Sequence, residues 1–250
     1  MRRKILINMF FLCLFLSASL RVSFANPSQN SVEVAVPIIS QLVHQDENGK
    51  WQGPLIDLLK RAEQEIGIPF HLRMVPFKRA VVMVEEGDTD FGVFLESPKR
   101  NQVGMPIVKL GDAQYIIVSL KDKPIHNLSE LENKSVARIR GGAEIKTLKG
   151  VPGLKYYYFN NHSDGTRLLQ YGRVDALVTA DFRLLDAVDQ NMVTFAELAE
   201  PVPLEPRELW LYWSWKSNLD FSLVRRLKSI PNLHLDPLNP AKLRERYLAK

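Results

Sequence analysis

The 250-residue sequence predicts an α/β protein built of two lobes. Apolar, strand-like runs alternate with amphipathic helical patterns, which is the signature of parallel βαβ units. The order strand, helix, strand, helix, strand runs from Ser31 to Phe94, and its logic recurs between Ser135 and Val178. Several of these strands end in turns rich in small, hydroxyl or charged residues, the position at which open α/β sheets hold small ligands.

Arg2-Arg3-Lys4 precedes a mostly apolar run, Ile5 to Leu20, and Ser23-Phe24-Ala25 supplies the small residues a signal peptidase reads. The run is shorter than the roughly 20 residues that span a bilayer, so residues 1–25 are expected to be a secretory signal peptide cleaved near Ala25. The single cysteine, Cys13, lies inside it behind bulky Phe-Phe-Leu, which does not suit a lipidation site. The remaining chain suffices for one large domain or two lobes of roughly a hundred residues each.

Ser31 to Pro37 alternates and then turns apolar, as a strand entering a sheet does. Asp46-Glu-Asn-Gly-Lys50 is a turn cluster. Pro54 opens a helix with Leu55, Leu58, Leu59, Ala62 and Ile66 on one face, closed by Gly67. Ile68 to Val75 reads as a strand, and Lys78 to Glu86 as a helix ending at Gly87, where a left-handed residue is wanted. Asp90 to Phe94 is an apolar strand. Pro106 to Asp112 reads as a connection, Gln114 to Leu120 as a strand, Ser129 as the start of a helical turn and Ser135 to Ile139 as a strand. After the glycines of Arg140-Gly-Gly-Ala143 a helix is expected from about Glu144. Tyr156 to Phe159 forms a strand, Ser163 caps a helix, and Val174 to Val178 forms one more strand. The chain returns through Pro201, Pro203 and Pro206 to an aromatic strand, Leu209 to Trp215, a helix over about Leu219 to Ser229, and a last helix capped by Asn239-Pro240. Trp210, Trp213 and Trp215 at near period-two spacing read as sheet packing, with a pocket lining as the alternative.

Charge and composition exclude several functions. Of 33 Lys and Arg, four (Arg2, Arg3, Lys4, Arg21) fall in the leader with no acid beside them, leaving 29 basic against 28 acidic residues. No basic stripe with interleaved aromatics remains, so no nucleic-acid partner is expected. A chain without cysteine after the leader has neither disulfide nor thiolate chemistry, as suits an exported protein that folds on its core alone. The histidines His44, His71, His126, His162 and His234 show no close ligand spacing, and neither a Gly-x-Ser-x-Gly nor a Cys/His nucleophile pattern occurs. No metal and no cofactor are expected.

Three turns carry candidate chemistry. Ser97 and Arg100 follow the strand over Asp90 to Phe94, and a guanidinium with five fixed donors suits a carboxylate or other small anion. The alternative is a solvated loop charge. Arg140, Gly141, Gly142 and Ala143 stand between a strand and an expected helix start, an arrangement that aims backbone N–H groups at an anion or serves simply as a turn. Thr179-Ala180-Asp181 lies just past the last strand of the second lobe.

The order Asp-Glu-Asn-Gly-Lys-x-x-Gly, Asp57, Gly87-x-x-Asp90, Ser97-Pro-x-Arg100, Gly141-Gly142 and Gly172-Arg-Val-Asp-Ala-Leu-Val178 resembles the type II solute-binding proteins of bacterial polar amino-acid transport systems (extracellular solute-binding family 3), over about Ser31 to Tyr247. The resemblance implies a two-lobed periplasmic-binding-protein-like type II fold with two hinge crossings. Lobe 1 would comprise residues 26–111 and 205–250, and lobe 2 residues 112–204. It implies that Arg100, with Ser97, clamps the ligand's carboxylate, that the turn Arg140 to Ala143 adds backbone donors, and that an acid near Asp181, with Thr179 beside it, holds an ammonium. Arg79 of Pro76-Phe-Lys-Arg79 recurs in part of the family and is either a cleft residue or a helix-surface ion pair. Two departures stand out: Ala180 occupies the usual acidic position, and Ile38 to His44 replaces the aromatic, proline-rich segment that covers the ligand.

The expected function is capture of a small polar, carboxylate-bearing solute, an amino acid or related compound, in the periplasm, presented to an inner-membrane ABC transporter permease or a membrane sensor. One alternative is a signalling or interaction module that has lost its ligand. The other is a dehydratase-like periplasmic enzyme on the same scaffold, for which Glu96 and Asp181 are the candidate acid/base pair.

Overall fold

A computed structural model describes residues 31–39, 41–142 and 144–235. The expected leader, the start near Asn26, Ala143 and the expected helix at Asn239-Pro240 lie outside the described residues.

The chain enters as β1 (Val32–Pro37), buried at all but one position. A small hairpin follows, β2 (His44–Gln45) and β3 (Trp51–Gln52), its turn held by the Asp46 carboxylate accepting from the N–H groups of Asn48 and Lys50, both at 2.9 Å. Helix α1 (Pro54–Ile66) begins with proline in its first turn and buries Leu55, Leu58, Leu59, Ala62 and Ile66. Then come β4 (Phe70–Val75), α2 (Phe77–Glu86), β5 (Phe91–Leu95) and the single turn α3 (Pro98–Asn101). Gly87 closes α2 at φ 81°, the left-handed conformation its position in the sequence predicts.

The next element departs from expectation. Gly104–Val118 is one 15-residue strand, β6, rather than a connection followed by a strand. Pro106 looks like a breaker, yet its missing N–H falls at an irregularity: Tyr212 faces Pro106 while Leu211 faces Val108, so Ile107 is bulged out of the ladder. After β6 come β7 (Ser135–Ile139), β8 (Lys155–Phe159), α4 (His162–Gln170), β9 (Ala176–Ala180) and α5 (Asp181–Asp189). The helix expected from Glu144 is only a 3-10 turn, Lys146–Leu148; Gly150, Pro152 and Gly153 leave too few residues to propagate one. Helix α4 is capped by Asn161, whose carbonyl oxygen accepts from Asp164 N–H at 2.9 Å, rather than by Ser163. Strand β10 (Val202–Ser214) begins earlier than expected because Pro203 and Pro206 also flank a register shift, and α6 (Phe221–Ser229) completes the described chain.

Eight strands form one sheet in the order β4-β1-β5-β10-β6-β9-β7-β8. Strands β4, β1 and β5 are parallel, as are β9, β7 and β8. The long antiparallel pair β6 and β10 belongs to both halves: β5 pairs with Leu209–Trp213 at the end of β10, and β9 pairs with Tyr115–Val118 at the end of β6. Helices cover both faces of the first half and one face of the second, whose other face is covered by the 3-10 turns Leu128–Leu131 and Lys146–Leu148 and their flanking loops. Val34, Leu59, Leu110 and Leu211 anchor the largest apolar cluster, Phe94, Met83 and Tyr212 the opposite face of the first half, and Leu169 and Leu131 the two faces of the second.

Candidate functional site

The carboxyl ends of β1, β5, β7 and β9 point toward one another across the β6–β10 pair, and a cavity of about 70 Å³ lies between them. This is where a doubly wound sheet leaves room for a ligand. The first half contributes Ile39, Phe77, Phe94, Ser97 and Arg100; the second contributes Ile139, Gly142, His162, Thr179, Phe182 and Arg183; Tyr115 and Leu209 come from the long pair.

Arg100 is the centre of charge. Only 8 % of it is exposed, and its guanidinium lies over the rings of Phe77 at 5.2 Å and Phe94 at 5.8 Å. Among the described residues no carboxylate lies within ion-pair distance of it. Burial lowers its pKa from the ordinary arginine value, partly offset by Tyr212, Tyr115 and Glu85, though a guanidinium keeps its charge. Ser97 fixes the position of Arg100 by capping α3: its hydroxyl accepts from the Arg100 N–H at 3.3 Å.

Arg183 is buried too, but compensated. Its Nη1 donates to Asp186 Oδ2 at 3.2 Å and to the Ile38 carbonyl at 3.4 Å, tying α5 to the segment after β1. Asp186 also accepts from the Gln41 N–H at 3.2 Å. Tyr115 lies deep in the site, beneath the Arg207 guanidinium at 5.8 Å; burial raises its pKa, and Arg207, Arg138, Arg100 and Arg183 pull the other way. His162 opens α4 with its ring edge-on to Phe159, and burial, then Arg183, hold its pKa down to about 3, so the ring is neutral. Its place after a strand and at a helix start is the feature of the sequence that could have marked it; nothing comparable marks Tyr115.

The remaining expected site residues divide. Thr179 and Gly142 line the cavity with Ser97 and Arg100. Gly142 does not offer its N–H to an anion, because that group donates to the Ile139 carbonyl at 3.2 Å, closing a turn. The Arg140 N–H is likewise used by the Phe159 carbonyl, and the Arg140 side chain is exposed, over Tyr158 at 5.7 Å. Gly141 is exposed, at φ 71°, with Lys99 Nζ of the first half close by. Arg79 lies outside the cavity: it pairs with Asp88 at 3.4 Å with 55 % of its side chain exposed, the helix-surface alternative.

Asp181 is buried but turned away from the cavity. It follows the end of β9 directly and opens α5, and its two oxygens accept from the N–H groups of Gln114 at 3.1 Å and Phe182 at 2.7 Å. Burial raises its pKa to about 6 against those bonds. Glu96 does not line the cavity either, so the candidate acid/base pair has no shared site there. Among the described residues no cluster of three or more His, Cys, Asp or Glu is placed to hold a metal.

No protein-family model matches the sequence, and comparison with curated proteins gives no match. Solved structures do match in three dimensions. An arginine-bound variant of the arginine-binding protein ArgBP from T. maritima superposes with a TM-score of 0.64 at 20 % identity, over 81 % of this chain and 94 % of that one. The arginine-, lysine-, histidine-binding protein ArtJ from Geobacillus stearothermophilus gives 0.64 at 16 %, over 88 % and 96 %. The substrate-binding protein of an amino acid ABC transporter gives 0.62 at 16 %, over 88 % and 100 %. These likenesses, at 20 % identity or below, show a shared fold. Strands β6 and β10 connect the two halves of the sheet, and the cavity around Arg100 sits where the halves face each other.

Proposed function

We propose that this chain is an exported solute-binding protein that captures a small carboxylate-bearing solute in the cleft between lobe 1 (26–111 and 205–250) and lobe 2 (112–204), for an inner-membrane ABC transporter or a membrane sensor. One observation carries the reading: a buried guanidinium, Arg100, faces the cavity, and no carboxylate among the described residues pairs with it. An uncompensated buried charge costs several kcal/mol, and a fold retains one where a ligand supplies the complement. The solved structures it resembles are binding proteins, one of them the substrate-binding protein of an amino acid ABC transporter. Their fold supports binding rather than catalysis, as does the separation of Glu96 and Asp181 from the cavity.

The test is a thermal-shift and calorimetric panel of amino acids, mono-, di- and tricarboxylates, polyamines and sugars. A solute at 100 times its dissociation constant adds about 2.7 kcal/mol to stability. At least one carboxylate-bearing compound is expected to produce that shift in the wild type and none in Arg100→Ala, with the circular dichroism of the two proteins superimposable. A solute that stabilises wild type and Arg100→Ala equally, or no shift from any compound, overturns the assignment.

A further inference from the structure

Resting on the reading of the cleft as a solute site, we infer that its occupant is a small monocarboxylate without an amino group, one negative charge on a compact apolar body. The charge around the cavity points there. Arg100 brings one uncompensated positive charge, whereas Arg183 is already matched by Asp186 at 3.2 Å. Among the described residues the cavity walls contain no Asp or Glu. Asp181, the nearest acid in sequence to the wall residues Ala180 and Phe182, spends both oxygens on the N–H groups of Gln114 and Phe182. A ligand ammonium or guanidinium would therefore enter with no counter-charge, into a site where Arg100, Arg183, Arg138 and Arg207 all act on the same Tyr115. A second carboxylate would likewise meet an arginine already engaged.

The lining agrees with the charge. Phe94, Ile139, Val178, Phe182 and Leu209 present carbon to the ligand's body, and the neutral His162 ring and the Thr179 and Ser97 hydroxyls are the polar exceptions. Walls of this kind favour a methyl or ethyl group and leave an ammonium unsolvated.

The experiment uses matched pairs titrated calorimetrically into the purified protein: propionate against alanine, butyrate against 2-aminobutyrate, with pyruvate, succinate, arginine and inorganic phosphate alongside. The deaminated partner is expected to bind at least about 100-fold more tightly than its amino acid, and Arg100→Met is expected to remove that binding. An amino acid that binds as well as or better than its deaminated partner overturns the inference while leaving the solute-binding reading in place. Succinate or phosphate binding as tightly as propionate also overturns it. If none of these compounds and none of the wider panel binds, the inference and the reading beneath it both fall.

Discussion

Arg100 and Arg183 line the same cavity and are nearly equally buried, yet replacing each by methionine is expected to move stability in opposite directions. In Arg100→Met the charge removed has no ion-pair partner among the described residues. Several kcal/mol of desolvation are relieved, against the loss of two cation–π contacts, at 5.2 and 5.8 Å, of about 0.5–2 kcal/mol each. A methionine keeps most of the stem and makes sulfur contacts with Phe77 and Phe94 worth about 0.3–1.5 kcal/mol each. The solute-free protein should gain about 1–3 kcal/mol, which at about 2–4 °C per kcal/mol for a domain of this size raises Tm by roughly 2–12 °C. Arg183→Met strands the Asp186 carboxylate, only 9 % exposed, and should lose about 3–5 kcal/mol. Urea denaturation and thermal unfolding of both variants, dialysed free of solute, read the two signs directly. A loss of more than about 1 kcal/mol in Arg100→Met would refute the reasoning, because it would mean that the Arg100 charge is satisfied by the protein and serves its structure.

Two further tests probe the groups around the cavity. Asp181, with its folded-state pKa raised to about 6, contributes stability that is complete below its ordinary value of 3.8 and is lost as pH rises through 6. His162, held down to about 3, contributes stability that is complete above 6.5 and is lost as pH falls. Between about pH 4 and 6 the two slopes oppose each other. Relative to wild type, Asp181→Asn should make stability rise more steeply with pH and His162→Gln less steeply, each by up to about 1.4 kcal/mol per pH unit; parallel curves in urea titrations at pH 4, 5 and 6 would defeat the assignment. Gly53, which precedes α1, has φ 131°, and a Cβ there would stand 2.4 Å from the Leu42 carbonyl oxygen. Gly53→Ala should therefore cost about 2–4 kcal/mol in chemical denaturation, and a loss below about 0.5 kcal/mol would show that the backbone shifts freely at that point.

The parallel halves were legible because their signals are local. Pro54 at the start of α1, Gly87 at the end of α2 and the strand-like stretch Ser135–Ile139 each state their own structure. The long crossing strands were not, since Pro106, Pro203 and Pro206 read as breaks and only the pairing of β6 with β10 reveals that bulges absorb them. Arg100 was visible from the Ser97-Pro98 turn that holds it, but Phe77 and Phe94 reach it from two other elements with no sequence spacing to give them away. Asp181 drew attention as an acid at a strand end. Residues two apart on a first helical turn point to opposite sides, so once Asp181 turns back onto the Gln114 N–H, it is Arg183 that faces the cavity.

That exchange bears on how the cleft holds together. Apart from the shared strands, the polar links from the first half to the second among the described residues include Lys78 Nζ to Asn160 at 3.1 Å, Arg183 to the Ile38 carbonyl at 3.4 Å, and Gln41 to Asp186 and Asp189. Exposed links such as Lys78–Asn160 are worth about 0–1 kcal/mol apiece, and only the Arg183–Asp186 unit is buried. Against them stands the self-energy of Arg100, which disfavours burying the cleft while its charge has no complement. A solute that neutralises Arg100 reverses that sign and adds its own contacts to both halves. On the proposed solute-binding reading, the balance between an open and a closed cleft would turn on this one charge, and the same residue would select the ligand. It follows that Arg100→Met, although unable to bind a carboxylate, should favour the closed arrangement without solute, and small-angle scattering should give it a radius of gyration no larger than that of solute-loaded wild type; a larger value would separate closure from the Arg100 charge.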